Sequence, residues 1–241
     1  MSLAAAVGIV AQVQIHERDS GHLSCVQRNG ICPSWIASHL DDYLSPLWRH
    51  IELTLASVAL GFAIAFALAL VAHRRRWLNG PIVGIAGILY TIPSLAAFAI
   101  LIPLLGFGFV TALLPLTAYT LLILFRNIMA GLDNVPAEAK DAALGMGFTE
   151  RQLLWHVELP LALPEIFAGL RIATTTTVGL AALAFYAGAG GLGQSILSDI
   201  AFKSNILVAG LFCVALAFVL DLALLLAQRL LLPWQRVKVA T

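Results

Sequence analysis

The sequence is poor in charged residues. Asp, Glu, Lys and Arg make up only 11% of its 241 residues, whereas a soluble globular domain carries about 25%. The 14 basic and 13 acidic residues leave a formal net charge of +1, without the basic excess typical of nucleic-acid-binding proteins. Hydrophobic residues reach 60%, and the mean hydropathy is +0.92. These values exclude a soluble enzyme, a disordered chain and a nucleic-acid-binding protein, and they predict an all-α membrane protein with several spans.

The sequence also lacks the motifs of cofactor and metal sites. Its three cysteines are too few for a disulfide-rich scaffold or an iron–sulfur cluster. None of its lysines follows a glycine, so it has no nucleotide-binding P-loop, and no His-Glu-x-x-His motif occurs. We therefore predict that this chain has no catalytic residue and no metal site, and that it binds no cofactor.

Long apolar runs predict five membrane spans, each about 20 residues long. The first run covers residues 53–72 and is closed by a basic cluster at 73–76. Residues 81–125 include no charged residue, and at 1.5 Å per residue this run is too long for one helix but fits two. We place the break at residues 105–108, where two glycines permit a tight turn, and we expect Arg126 to end the second helix.

Two further apolar runs complete the five spans. The fourth begins near Ile172 and ends at the glycines of residues 188–193, and the fifth covers residues 205–231. Asp221 interrupts the fifth run, so a rival interpretation treats that run as a re-entrant segment. If the run does span, Asp221 either pairs with a basic or polar group or takes part in coupling to a proton or cation.

The basic residues indicate how the five spans are oriented. If the cluster at residues 73–76 is cytoplasmic, that side of the membrane holds ten of the fourteen Lys and Arg residues. Cytoplasmic loops are enriched in Lys and Arg, so we predict a multi-pass protein of the bacterial plasma membrane with its N-terminus outside. The predicted segments are an extracytoplasmic tail at 1–47, a transmembrane domain at 48–234 and a cytoplasmic tail at 235–241.

Two of the three cysteines, Cys25 and Cys32, fall in the predicted extracytoplasmic tail. The short segment between them contains Asn29-Gly30, a pair that favours a turn. Because disulfides persist in oxidising compartments, we predict a bond between these cysteines. The alternative is two free, partly buried thiols.

The segment between spans three and four, at about residues 133–164, is much richer in charge than the chain around it. Pro136 suits the first turn of a helix, which we predict to run to about Met146. Gly147 directly after it suits a left-handed stop. The segment therefore begins with a short helix that ends at a glycine elbow.

A second helix is predicted to follow the elbow. Thr149 and Gln152 have the spacing of a capping box, in which the side chain of each residue accepts a hydrogen bond from the backbone amide of the other. We expect Leu159-Pro160 to end this helix. The segment then forms an L-shaped element on the cytoplasmic face, which presents a short rigid surface to a partner.

This segment resembles the loop shared by permease subunits of bacterial ABC importers. That loop reads Glu-Ala-Ala, three residues, Gly, nine residues, a hydrophobic residue, one residue and Leu-Pro. The chain has Asp141-Ala142-Ala143, Gly147, Val157 and Leu159-Pro160 at that spacing. Asp141 departs from the family's Glu; it keeps the carboxylate and shortens its reach. The resemblance implies the type I ABC importer permease fold and a loop that couples the permease to its ATPase.

Other motifs resemble the osmoprotectant branch of the family, whose permeases import glycine betaine, choline, carnitine or proline. These motifs are Tyr90-Thr91-Ile92-Pro93-Ser94-Leu95-Ala96, Arg126-Asn127, Gly145-Met146-Gly147, Val157-Glu158-Leu159-Pro160-Leu161-Ala162-Leu163-Pro164, Ala168-Gly169-Leu170-Arg171 and Gly188-Ala189-Gly190-Gly191-Leu192-Gly193. The resemblance implies ABC ATPase subunits that hold ATP and Mg²⁺, a second permease subunit (identical or homologous), an extracytoplasmic substrate-binding protein and a lipid bilayer as partners. It implies no nucleic acid.

Five residues are candidates for the substrate pathway. Pro93 kinks or unwinds its span at membrane depth, and such breaks often lie beside transport pathways. Tyr90 and Tyr186 offer aromatic faces to a quaternary ammonium group, although packing is the commoner role of aromatic residues in spans. Ser94 and Thr175 offer hydroxyls, which otherwise bond back to helix carbonyls.

We therefore predict a permease subunit of an ATP-driven importer for an osmoprotectant. One alternative is a permease for another small solute, such as an amino acid or an oxyanion. An alternative from a different class is a membrane-embedded enzyme or a passive channel. An enzyme needs a cluster of polar catalytic residues at one membrane depth, which the sequence lacks, and a channel needs no docking loop.

Overall fold

A computed structural model describes Cys25 and residues 30–233 of the chain. Most of the predicted tail at 1–47 and the whole of the predicted tail at 235–241 lie outside the described residues. Ten α-helices and no β-strand occur in the described part. The helices are α1 (Pro33–Ser38), α2 (Leu44–Arg74), α3 (Asn79–Thr91), α4 (Ser94–Leu105), α5 (Phe109–Asp133), α6 (Ala137–Gly145), α7 (Glu150–Leu153), α8 (Leu159–Ala181), α9 (Leu192–Ser198) and α10 (Lys203–Leu231). The all-α prediction is confirmed.

Four stretches of helix are long and apolar enough to cross a membrane by themselves. They contain α2, α5, α8 and α10, and each has an 18-residue window with a mean hydropathy between 1.3 and 2.6. The residues of α3 and α4 together meet the same test, but their axes differ by 91°. The prediction of five spans therefore holds if the bent pair of α3 and α4 counts as one.

The bend between α3 and α4 has a local cause. Ile92 is extended, with ψ at 125°, because the ring of the following proline disfavours a helical conformation there. Pro93 then caps α4. The hydroxyl of Tyr119, on α5, donates a hydrogen bond to the Ile92 carbonyl, which the break would otherwise leave unpaired in an apolar region. The predicted kink at Pro93 is confirmed.

The bent pair carries the chain from one end of the bundle to the other. It starts at Asn79, directly after a short 3-10 turn at Arg76–Leu78 that follows α2 beside the basic cluster. It finishes at a turn in which the Gly108 amide donates to the Ala187 carbonyl over 2.7 Å. Near that turn, Arg49 at the opposite end of α2 donates to the Ala189 carbonyl over 3.2 Å. We call the two ends the basic end (residues 73–78 and 133–158) and the disulfide end (Cys25 and residues 30–43 and 184–204).

The disulfide end is fastened to α10. A disulfide joins Cys25 and Cys32, whose Cα atoms lie 5.9 Å apart. The Cys32 amide donates a hydrogen bond of 2.9 Å to the Ser204 hydroxyl, and the Tyr43 hydroxyl donates to the Asn205 side chain. The chain before α2 thus packs on the start of the last span, more than 160 residues away in sequence.

The core of the bundle lies around α5, which packs between α2 and α8. Small residues allow these helices to approach closely, as is common in membrane bundles. A methyl group added at Gly131 would lie 2.8 Å from the Ala162 carbonyl oxygen of α8. The space around this approach is filled by buried apolar side chains: Leu124, Phe125, Ile128, Met129, Leu132, Leu154, Leu159 and Ile166.

Two predicted helix boundaries are wrong. The third span does not end at Arg126, because this side chain is exposed and the helix continues to Asp133 without burying its charge. The fourth membrane-crossing stretch of helix begins at Glu150 instead of near Ile172, because the helix continues through Pro160 into α8.

The two ends of the bundle should be accessible from opposite sides of the membrane. Ser198 at the disulfide end and Thr149 at the basic end are both exposed. With Cys213 replaced by alanine, a cysteine at either position should react with an impermeant thiol reagent from one side only. Intact cells should label one of the two variants, and permeabilised cells both. Labelling of both variants on intact cells would contradict the five-span arrangement.

Candidate functional site

The charged segment at the basic end folds as helix, glycine elbow, helix. Gly147 has φ at +85°, a conformation that a residue with a Cβ adopts only with strain. The Gly147 amide donates to the Leu144 carbonyl over 2.9 Å and the Phe148 amide to the Ala143 carbonyl over 3.1 Å. These two bonds form a Schellman motif, which ends α6 and turns the chain. The predicted glycine stop is confirmed.

The second helix of the segment begins with the predicted capping box. The Gln152 side chain accepts from the Thr149 amide over 2.9 Å, and the Thr149 hydroxyl accepts from the Gln152 amide over 3.4 Å. A cap of this kind is worth about 1 kcal/mol. The elbow and the cap together hold α6 and α7 at a set angle.

The prediction that Leu159-Pro160 ends the second helix is wrong. A π-helical turn from Leu154 to Glu158 joins α7 to α8, and the helix runs on to Ala181. An ordinary helical turn would bring the Pro160 ring against the carbonyl four residues earlier. The wider π turn removes this clash. The charged segment is therefore continuous with a membrane span.

The motif residues of this segment fall into an exposed group and a buried group. Asp141, Ala142 and Gly147 are exposed. Ala143 is only 1% exposed and packs against its own chain. Leu159 is 7% exposed, and Val157 and Pro160 are half-buried. The first half of the motif faces outward and the second half anchors the segment.

Apolar side chains stand exposed beside Asp141 and Ala142. Met146 is 70% exposed and Leu144 49%. Sequence reasoning missed these residues, although large apolar residues on a short charged helix are a recognisable signal. An exposed apolar surface of this kind, rimmed by charge, is typical of a protein-protein contact.

Glu158, at the end of the π turn, is a further residue that sequence reasoning missed. It is 5% exposed, and its carboxylate lies 2.9 Å from His73 Nε2 and 3.1 Å from Lys140 Nζ. The only signal in the sequence is a carboxylate directly before a buried leucine. Within the described part of the chain, no three His, Cys, Asp or Glu side chains converge as metal ligands would.

Three of the candidate pathway residues lie together at the bend. Tyr90 is the second-last residue of α3, Pro93 caps α4, and Ser94 is its first residue. The Tyr90 ring meets the Tyr119 ring edge to face, with centroids 6.0 Å apart. An apolar pocket of about 250 Å³ lies beside them, and its lining includes Ile92 and Tyr119. Tyr119 is the aromatic residue in the lining of this pocket, and Tyr90 adjoins it through the contact between the two rings.

The other two candidates belong to other elements. Tyr186, 49% exposed, stacks at a tilt on Phe185 in the turn that follows α8. Thr175 lies within α8, and its hydroxyl donates to the Arg171 carbonyl over 3.0 Å. The neighbouring Thr177 hydroxyl bonds back to Ala173 over 2.7 Å. The hydroxyls of both threonines thus bond back to helix carbonyls, which is the alternative to lining a pathway.

Asp221 forms a two-pronged ion pair with Arg171. Both contacts, from Arg171 Nε and Nη2 to the two carboxylate oxygens, are 2.7 Å long. The pair joins α8 to α10 inside two apolar spans. The expectation that Asp221 pairs with a basic group is confirmed, and both carboxylate oxygens are engaged.

Comparison with known proteins places this arrangement in a family. The sequence profile described as "Binding-protein-dependent transport system inner membrane component" matches residues 57–237. The osmoprotectant import permease protein OsmW of Salmonella typhimurium is 38% identical over 199 residues, 79% of this chain and 93% of OsmW. The choline transport system permease protein OpuBB of Bacillus subtilis is 38% identical over 201 residues, 82% of this chain and 93% of OpuBB. An inward-facing structure of the MetNI methionine ABC transporter is 25% identical, covers 78% of this chain and 94% of its own, and superposes with a TM-score of 0.66.

The Arg171–Asp221 pair should stabilise the bundle as a unit. Asp221→Asn or Arg171→Gln leaves one charge in an apolar span without its partner, and should cost about 3 kcal/mol of unfolding free energy. Arg171→Met combined with Asp221→Leu removes both charges and should recover most of that loss. Denaturation of the purified subunit in mixed micelles measures all three variants. Additive losses in the double variant would contradict a paired role.

Proposed function

The chain belongs to the family of binding-protein-dependent transport system inner membrane components, and on this premise we propose that its charged segment is the docking site of the importer's ATPase. The protein is a permease subunit of an ABC importer, and its relatives are permease subunits. ATP hydrolysis is the work of a separate subunit, and ATP and Mg²⁺ bind there.

The observation that carries the docking role is the exposed helix–elbow–helix at the basic end. Asp141 and Ala142 face outward on α6, beside the exposed Leu144 and Met146. An apolar surface suits a cleft between ATPase lobes, and the Asp141 carboxylate suits a basic group on that partner. The rigid elbow at Gly147 lowers the entropic cost of docking, because the surface is held in one shape before contact.

The same geometry supports a route for transmitting motion. Helix α7 continues through the π turn into α8, so the docking surface is part of a membrane span. When ATP binding closes the ATPase pair, each docked segment moves with its ATPase. The span then tilts as a lever and switches the pathway of the two permease subunits from one side of the membrane to the other.

The distribution of basic residues supports an orientation. The basic end carries Arg74, Arg75, Arg76, Lys140 and Arg151, which favours the cytoplasm for the docking segment. The disulfide end then faces outward in a bacterial plasma membrane. There an extracytoplasmic binding protein delivers the solute to the pair of permeases.

The solute is a quaternary ammonium osmoprotectant such as glycine betaine, choline or carnitine, or the related proline. The names of the relatives support this class, since OsmW is an osmoprotectant permease and OpuBB a choline permease. The Tyr90–Tyr119 pair at the bend supports it chemically. A trimethylammonium group has no hydrogen to donate, so aromatic faces are suited to hold it.

Replacing Gly147 tests the docking role. Gly147→Val places a β-branched residue at φ of +85°, at a cost on the order of 1–2 kcal/mol or more, and should misdirect α6. Reconstituted complexes should lose ATP-driven uptake, with weaker ATPase association or with ATP hydrolysis that no longer depends on loaded binding protein. Gly145→Ala, at the last residue of α6, is the control and should transport normally. Normal, coupled uptake by Gly147→Val would refute the docking role.

The solute class is tested with the same reconstituted complex. Choline and glycine betaine should compete for uptake, whereas an oxyanion and a neutral amino acid other than proline should not. Tyr90→Leu should raise the half-saturating solute concentration by about tenfold, the equivalent of one cation–π contact. Tyr90→Phe keeps the aromatic face and should differ little from the wild type. Competition by an amino acid or an oxyanion alone would favour the alternative solutes.

A further inference from the structure

Glu158 is a buried carboxylate that joins three elements of the basic end. It lies at the end of the π turn, with 7% of its side chain exposed. One oxygen contacts His73, in the last turn of α2, and the other contacts Lys140, in the middle of α6. The three residues are far apart in sequence, since His73 and Glu158 are separated by 85 positions. A single side chain thus connects the docking helix to two spans.

Packing alone does not explain why a carboxylate occupies this position. Leu154 and Leu159, on either side of Glu158 in the chain, are buried apolar residues of the core, so an apolar residue suits the surroundings. A buried carboxylate loses its hydration and recovers that loss only through well-placed partners. Apolar packing at such a site is often as stable as an ion pair. A carboxylate differs from an apolar side chain because its two oxygens require partners at two specific places. It therefore fixes the positions of the elements that carry those partners.

The π turn has a part in this geometry. A π turn contains an extra residue compared with an α-helical turn, so it changes which side chains of the following helix face inward. Here it brings Glu158 inside and leaves Trp155, in the same turn, 49% exposed. The irregular turn therefore creates the inward position that the carboxylate occupies, next to α2 and α6.

We propose that Glu158 is a positioning residue that fastens the docking helix α6 to the end of α2. This inference rests on the docking role proposed above for the same segment. When an ATPase displaces α6, the Lys140–Glu158–His73 connection makes α2 move together with α6 and α8. Loss of the connection lets the docking helix and α8 move without α2, so ATP is hydrolysed and little solute crosses.

Charge-removing variants test this connection. Glu158→Gln keeps the volume and removes the charge, and Lys140→Met keeps the length of the side chain and removes its ammonium group. Each should lower the number of solute molecules transported per ATP hydrolysed by at least about fivefold, and ATP hydrolysis should persist. The double variant should be no worse than the more affected single variant, because both remove one connection. Lys140→Arg restores the charge and should restore most of the ratio.

An exposed ion pair at the same end provides the control. Arg76 pairs with Asp133, and 58% of the Arg76 side chain is exposed. Exposed pairs contribute little to structure, so Arg76→Gln should keep the transport ratio within twofold of the wild type. A loss in Arg76→Gln equal to that in Glu158→Gln would overturn the specific role of the buried connection.

A distance measurement separates positioning from a general loss of structure. Spin labels at Glu138→Cys on α6 and Trp77→Cys after α2, both exposed, report their separation in a Cys213→Ala background. In the wild type the distribution of distances between the two labels should stay narrow through the ATP cycle, because the two elements move together. Glu158→Gln should broaden this distribution, while the melting temperature of the complex and its abundance in the membrane stay unchanged.

The outcomes distinguish the connection from the docking role on which it rests. If Glu158→Gln transports like the wild type, with a normal number of solute molecules per ATP and a narrow distance distribution, this result overturns the connection and leaves the docking role intact. Normal transport by Gly147→Val overturns the docking role, and the connection falls with it. If Glu158→Gln lowers the melting temperature of the complex and lowers uptake and ATP hydrolysis in the same proportion, the carboxylate has a purely structural role. That result would also overturn the proposal.

Discussion

The structure depends on one constraint: inside a membrane, every backbone amide and carbonyl needs a partner within the protein. Long helices satisfy it by themselves, so the irregular places in this chain are where other residues intervene. At the bend before Pro93, the Tyr119 hydroxyl serves the Ile92 carbonyl. At the turn between the second and third spans, Ala187 accepts from Gly108. These partners come from other elements of the chain, a neighbouring span and the turn after α8, so each break also ties the bundle together.

The same constraint applies to charge. Two of the described carboxylates within or next to the spans are engaged by basic residues on other elements. Asp221 holds Arg171 between two spans, and Glu158 holds Lys140 and His73 at the basic end. The first pair fixes how two spans pack. The second connects a membrane span to the segment that we assign to ATPase docking. Ion pairs between elements thus stabilise the packing in one place and transmit motion in the other.

The docking segment combines rigidity with continuity. A Schellman turn at Gly147 and a capping box at Thr149 fix its internal angle, and the π turn joins it to α8 without a flexible linker. A flexible loop in this position would absorb the displacement of a partner. A segment continuous with a span passes that displacement on, which is what an ATP-driven change of access across the membrane requires.

The sequence by itself determined the features that depend on near neighbours. Apolar runs specified the five spans, Pro93 the bend, Gly147 the elbow, and Thr149 with Gln152 the cap, because each reflects backbone preferences or contacts within a few residues. Only the tertiary structure decided that Ala143 is buried, that α7 runs on into α8, and that Glu158 meets Lys140 and His73. These facts depend on how helices distant in sequence pack against one another, and no local pattern encodes which side chains that packing brings into contact.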